Sequence, residues 1–215
     1  NQNQANLIYL NDSLGNFSDS GQTLGENDSR SIALDDIDGD ADLDIVVANQ
    51  SQGNRIYLND GLGNFSDTDQ SLGANDSNAI VLADVDRDGD LDMVVANGSQ
   101  GNRVYINDGA GEFSDSDQSM GTNDSRAIDL GDVDGDGNLD IVVANQNQAN
   151  RVYINDGSGN FDDDDQALAD NSSQSVALGD LNADGILSMA VANANQGNRI
   201  YNYEPDDIDL FGGTE

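Results

Sequence analysis

The chain has no cysteine, no histidine, no tryptophan and no lysine, and Pro205 is its single proline. Without cysteine no disulfide framework can brace the fold, so an extracellular protein of this kind has to lean on metal instead. Without histidine, cysteine or lysine there is no imidazole base, thiolate or Schiff-base amine. Carboxylate pairs of the kind a glycosidase needs are plentiful, but they recur periodically, whereas an enzyme ordinarily breaks its symmetry at one site. The chain therefore reads as non-catalytic, and a polysaccharide-acting enzyme is the remotest of its function classes. Positive charge is also scarce. The seven basic residues are all arginine, against 42 acidic ones, for a net charge of −35. Nucleic acid and anionic membrane are poor partners for such a field. No window of 18 apolar residues exists, so nothing inserts in a membrane as a helix. The acidity suits a salty, calcium-rich, even marine, exterior. The start at Asn1, in mid-repeat and without a signal segment, reads as a processed or excised piece.

What the chain has is repetition. Asp36-Ile-Asp38-Gly-Asp40-Ala-Asp42-Leu-Asp44 returns 48 residues later at Asp84-Val-Asp86-Arg-Asp88-Gly-Asp90-Leu-Asp92. It returns again at Asp132-Val-Asp134-Gly-Asp136-Gly-Asn138-Leu-Asp140, and in decayed form at Asp180-Leu-Asn182-Ala-Asp184-Gly-Ile-Leu-Ser188. Such crowding of carboxylates disfavours a closed loop unless a cation neutralises it, and hard oxygen ligands at alternate positions of a tight turn are what Ca²⁺ selects. Positions 1, 3, 5 and 9 would give carboxylates, and position 7 (Asp42, Asp90 or Asn138) a main-chain carbonyl. Loops one to three are then good sites. Ala41 weakens the first, because a non-glycine residue at positive φ costs on the order of 1 kcal/mol. Loop four, with only Asp180, Asn182 and Asp184, is weak or empty. Valine at position 12 (Val47, Val95, Val143, Val191) excludes an EF-hand.

Four strand-like segments, A to D, fill each repeat: 79–82, 93–96, 103–106 and the stretch opened by Phe113 in the second set. Asn107-Asp108-Gly109 marks a hairpin turn between C and D. An antiparallel four-stranded sheet every 48 residues fits an all-β propeller better than a β-helix. Tyr9, Tyr57, Tyr105, Tyr153 and Tyr201, and Phe17, Phe65, Phe113 and Phe161, read as inter-blade core. The chain starts with C and D, runs through three complete sets and ends with A, B and C. About four blades follow over residues 1–205, with 206–215 a tail. The N-terminal strands complete the last blade by strand exchange, leaving the final C strand surplus. The open edges also admit an edge-joined homo-oligomer or part of a larger ring.

With these residues, the chain resembles the FG-GAP/VCBS repeat family, whose best-known members are the integrin alpha-subunit propellers. The matching features are the Asp loops, the Asp-Ile-Val-Val-Ala strands at 44–48 and 140–144, and the Asn-Asp-Gly-x-Gly-x-Phe turns at 59–65, 107–113 and 155–161. They cover residues 1–203. The family's Gly-Ala-Pro element is absent, Ala48-Asn49, Ala96-Asn97 and Ala144-Asn145 standing there, which places the chain nearer the bacterial VCBS variety. The resemblance implies Ca²⁺ held between strands A and B, secretion or surface display, rings of seven or eight blades, and roles in adhesion, ligand binding or scaffolding.

A ligand face is expected opposite the metals, where the B–C and D–A connections lie. Arg30, Asn78, Arg126 and Gln174 recur on the D–A turns, and Gln52, Gln100, Gln148 and Gln196 on the B–C loops. Such amides and guanidinia can hydrogen-bond a carbohydrate or a protein ligand, although Asn, Asp, Ser and Gly are also ordinary turn residues. Arg55, Arg103, Arg151 and Arg199, which open strand C, are expected to bridge to a neighbouring blade's aspartate. The alternative function is a structural or self-assembling scaffold without a small ligand.

Overall fold

A computed structural model describes residues 4–202. The expected tail at 206–215 lies outside the described residues. Within them there are strands and turns and no helix. The first pair is β1 (Asn6–Asn11) and β2 (Phe17–Leu24). A four-stranded sheet follows, of β3 (Ser29–Asp35), β4 (Asp44–Asn49), β5 (Arg55–Asn59) and β6 (Phe65–Asp67). The next comprises β7 (Ser77–Ala83), β8 (Asp92–Asn97), β9 (Arg103–Asn107) and β10 (Phe113–Asp115). In the third, β11 (Ser125–Gly131) and β13 (Phe161–Asp163) flank the long β12 (Asp140–Asn155), in which segments B and C run on as one strand. The last set is β14 (Leu168–Gly179), β15 (Ser188–Asn193) and β16 (Arg199–Asn202). Pairing is antiparallel and runs between sequence neighbours, apart from β12, which also pairs with β14 and links the last two sets; each repeat is thus a meander, or blade, and the fold is all-β with 48-residue units.

Strand B explains why one blade cannot stand alone. β4, β8 and the first part of β12 are apolar without alternation, and every residue from Asp44 to Asn49 and from Asp92 to Asn97 is buried. A short continuous apolar run suits a strand covered on both faces. The covering comes from adjacent blades. Ile37, Val46 and Ile56 of the first blade meet Ile80, Met93, Val95 and Tyr105 of the second. Val85, Val94 and Val104 meet Ile128, Ile141, Val143 and Tyr153 in the same way. Val133, Val142 and Val152 then meet Val176, Met189 and Val191. Strands β3, β7, β11 and β14 are neighbours in succession, forming the inner rim of the arc.

The aromatic expectation holds where a preceding blade exists. Tyr57, Tyr105 and Tyr153 are buried, and Phe113 and Phe161 with them. Tyr9 and Phe17 depart from it. They are 54% and 67% exposed, because no strand among the described residues covers that side of β1–β2.

The expected strand exchange is also corrected. β1 and β2 pair only with each other, and Ile8 and Leu24 pack against Ile45, Val47 and Tyr57 of the first complete blade. The last blade instead keeps its own C strand, β16, in the place the N-terminal strand was expected to fill. Among the described residues the arc is therefore open.

Candidate metal centre

Each Asp loop joins strand A to strand B and is shaped by its own carboxylates. Asp36 takes the amide N–H groups of Gly39 (2.9 Å) and Asp40 (3.1 Å) on Oδ1 and that of Ala41 (2.9 Å) on Oδ2. Asp132 does the same with Gly135 (2.7 Å) and Gly137 (3.0 Å). The aspartate at position 3 accepts from position 5 and the one at position 5 from position 7, for example Asp134 from Asp136 (3.1 Å) and Asp136 from Asn138 (2.8 Å). The chain coils round a point at which carboxylate oxygens converge.

Two positions per loop need positive φ, one more than the motif alone suggests. The sixth has φ of 74° at Ala41, 99° at Gly89 and 88° at Gly137. The fourth has 77° at Gly39, 65° at Arg87 and 82° at Gly135. Loop three alone meets both demands with glycine; loop one has Ala41 and loop two Arg87 as the strained residue.

Three triads come together: Asp36, Asp38 and Asp40; Asp84, Asp86 and Asp92; and Asp132, Asp134 and Asp136, each with ligand oxygens within 4.8 Å of one another. At that separation two unit charges repel by about 3.5 kcal/mol at an effective dielectric of 20. Burial pushes the Asp38 and Asp86 carboxyls above their usual range, and the neighbouring aspartates add to the rise. No guanidinium enters these triads; Arg87 instead donates to the Gly137 carbonyl of the next loop. Asp84 Oδ1 is buried with no hydrogen-bond partner. An orphan carboxylate oxygen among convergent carboxylates fits a hard divalent cation such as Ca²⁺, so the three triads could hold one ion each.

The remaining expected ligands do other work. Asp44, Asp92 and Asp140, at position 9, are wholly buried. One oxygen takes the N–H of Ile37, Val85 or Val133 inside the loop (3.1, 3.0 and 2.9 Å). The other takes the N–H of Asn59, Asn107 or Asn155 at the end of strand C (2.8, 2.9 and 2.9 Å). Burial raises all three carboxyls, Asp92 to about 6. Only Asp92 also joins a triad, in place of Asp88. At position 7, Asp42, Asp90 and Asn138 lie against Gly61, Gly109 and Gly157 of the C–D turn, leaving no room there for a methyl group. In loop four, Asn182 donates to Asp184 (2.7 Å), Gly185 N–H to Asp180 (3.0 Å), and Ser188 to Asn202 (3.0 Å). Only two carboxylates remain there, in an exposed loop.

Across the blade boundary, Asn107 Nδ2 donates to the Ile37 carbonyl of the first Asp loop and Asn155 Nδ2 to Val85 of the second (both 2.8 Å). A second fastener was not anticipated. The amide of Gln22 donates to Gly63 O (2.7 Å) and accepts from Phe65 N (2.9 Å). Gln70 treats Gly111 and Phe113 alike, and Gln118 treats Gly159 and Phe161 alike. The signal was present: Gln22, Gln70, Gln118 and Gln166 recur at 48 residues.

The four candidate ligand residues occupy equivalent places by repeat: Arg30, Asn78 and Arg126 at the start of their inner strands and Gln174 in the middle of β14. Arg30 bonds to Asp28 and Gln50, and Arg126 to Asp124 (2.9 Å) and Gln146. Asn78 donates to Ser125 O (2.7 Å) of the next blade, and Gln174, exposed, to Ser172 (3.4 Å). Gln52, Gln100 and Gln148 accept the N–H of Asp28, Asp76 and Asp124, knitting B–C loops to D–A turns. The strand C arginines are corrected: Arg55, Arg103 and Arg151 pair with Asp67 (2.6 Å), Asp115 (3.7 Å) and Asp163 (3.6 Å) of strand D in their own blade. Those aspartates stand directly opposite Tyr57, Tyr105 and Tyr153, so each arginine reaches its partner diagonally across the strand pair.

The family pattern described as the FG-GAP-like repeat matches residues 36–95, 84–143 and 132–191. A search of curated protein sequences gives no match. Among solved structures, the chain is similar to the computationally designed Ika4 protein (TM-score 0.55, 10% identity, 86% of this chain and 95% of that one). It is similar to the computationally designed Ika8 protein (TM-score 0.56, 10% identity, 94% and 56%). It is also similar to BBS1N in its complex with ARL6DN (TM-score 0.52, 13% identity, 80% and 56%). The chain thus spans about half the length of the last two.

Proposed function

The chain belongs to the FG-GAP-like repeat family, and from that premise we propose that it is a non-catalytic, calcium-stapled module of the extracellular space or cell surface, working in adhesion or recognition of a carbohydrate or protein. The observation that supports this is the set of three carboxylate triads at a constant 48-residue pitch. The first two are wedged between their own blade and the turn of the next, so a cation there braces the arc without serving turnover. Coupling of metal binding to folding follows, since ions that bind only the native state stabilise it. Calcium titration by calorimetry, expected to give three ions per chain and no change on Asp184→Ala, tests the metals. A glycan and polysaccharide array in millimolar Ca²⁺, repeated with chelator, tests recognition; calcium-dependent binding to one glycan class supports it.

The scaffold reading has its own support. Arg30, Asn78 and Arg126 are engaged in hydrogen bonds within the protein. A ligand has to compete for those groups. A blank array from folded, calcium-loaded protein therefore favours a scaffold with no small ligand.

A further inference from the structure

The open ends of the arc carry complementary halves of one blade. The fourth blade has A, B and C strands but its sequence then departs from the repeat: Asn202-Tyr203-Glu204-Pro205 stands where the others have Leu58-Asn59-Asp60-Gly61 or Ile154-Asn155-Asp156-Gly157. At the other end, β1 and β2 form a ready-made C–D hairpin. Its turn, Asn11-Asp12-Ser13-Leu14-Gly15-Asn16-Phe17, has the bonds of its counterpart at 59–65. Asp12 Oδ1 accepts from Leu14 N (2.8 Å) and Asp60 Oδ1 from Leu62 N (2.9 Å).

Among the described residues both fasteners are one partner short at this boundary. Gln166 is the fourth of the series that clamps the next blade's turn, yet its amide bonds to Asp164 of its own blade. Among the described residues no glutamine clamps Gly15 and Phe17, which match Gly63 and Phe65 by position. The Asp loop at 132–140 is due a side-chain amide on the Val133 carbonyl, as Ile37 receives from Asn107 and Val85 from Asn155. The chain's own residue at that position is Tyr203, which has no amide; Asn11 has one. Apolar faces agree. Ile32 is 55% exposed where its equivalents Ile80 and Val176 are covered, and Leu181 and Ile200 are exposed where Val133 and Val152 are covered.

We propose that two copies of this chain close head to tail, β1–β2 of each replacing β16 in the fourth blade of the other. Gln166 of one copy then clamps Gly15 and Phe17 of the second copy, and Asn11 of the second copy reaches Val133. Ile32 and Leu34 of the second copy pack on Leu181 and Ala190. Among its described residues each copy supplies three whole blades and two part-blades, and the pairing completes the fourth blade of each. The acidic surfaces repel, so calcium and moderate salt strengthen the pairing.

The chain has no cysteine, which makes crosslinking clean. In the blades, Val46 faces Ile56, Val94 faces Val104, and Ala190 faces Ile200. In the closed pair Ile8 takes the place of Ile200. The single variants Ile8→Cys and Ala190→Cys, mixed in calcium and mild oxidant, are expected to form a mixed disulfide at about the spacing of directly opposed strand residues. Light scattering on the unmodified chain is expected to give twice its 22.6 kDa mass. Gln166→Ala, its fold checked by circular dichroism, is expected to weaken the pair about 100-fold, for two hydrogen bonds lost at each of the two equivalent junctions. A single-chain mass at high concentration overturns the proposal. So does a double variant that crosslinks within one chain, or a dimer that gives no mixed disulfide.

Discussion

The carboxylate of Asp92 is wholly buried, accepts two backbone N–H groups and faces Asp84 and Asp86. Burial raises its pKa from 3.8 to about 6, with the charges of Asp86 and Asp88 adding to the shift. In metal-free protein the folded state therefore holds this proton more tightly than the unfolded chain. The stabilisation is full below the unfolded value and is lost as pH rises through about 6. A shift of this size corresponds to about 3 kcal/mol, of which roughly 1.4 kcal/mol disappears between about pH 5 and pH 7.5. That interval stays above the sequence pI of about 4.1, where the uncharged protein would self-associate. The assay is urea unfolding of chelated protein across the interval, for the native sequence and for Asp92→Asn. Other raised carboxyls, Asp44 and Asp140, slope the same way, so the difference between the two proteins isolates Asp92. The metal-free native protein should lose about 1.4 kcal/mol more than the variant. In saturating calcium the sign reverses, because the cation needs the ionised form. Equal slopes for both metal-free proteins, or a native slope that rises with pH, would refute the reasoning.

Ala41→Gly should stabilise the fold by about 1 kcal/mol and tighten calcium at loop one roughly fivefold, since Ala41 sits at φ 74°; calorimetric titration reads both. Gly121→Ala should cost about 2–3 kcal/mol, because the new Cβ would lie 2.7 Å from Tyr153 Oη at φ 63°. Adding Tyr153→Phe should recover part of that loss in the urea midpoint. Asn107→Ala removes donors to Ile37 and Leu91 and the acceptor for Gly109 and Gly111. About 2–4 kcal/mol should be lost, and calcium should weaken at loop one, in the neighbouring blade, a change that a site-by-site titration would reveal.

The repeat, the all-β class and the position of the Asp loops were determined by the sequence alone, because period, turn residues and carboxylate spacing are local properties. The inward aromatics were legible for the same reason: a strand covered on both faces needs apolar residues at fixed intervals, and Tyr57, Tyr105 and Tyr153 supply them. Tertiary structure decided what depends on neighbours. It gave Asp44 and Asp140 a part that the loop motif does not show, as acceptors for the backbone at the end of strand C. It paired Arg55, Arg103 and Arg151 with the strand beside them instead of the next blade. It gave Gln22, Gln70 and Gln118 their role across the blade boundary. A period shows which residues are equivalent, but not which side of a strand faces a partner or whether the last partner is present. Tyr9 matches Tyr57 in sequence and differs from it in exposure alone, because burial belongs to the assembled blades and not to the repeat.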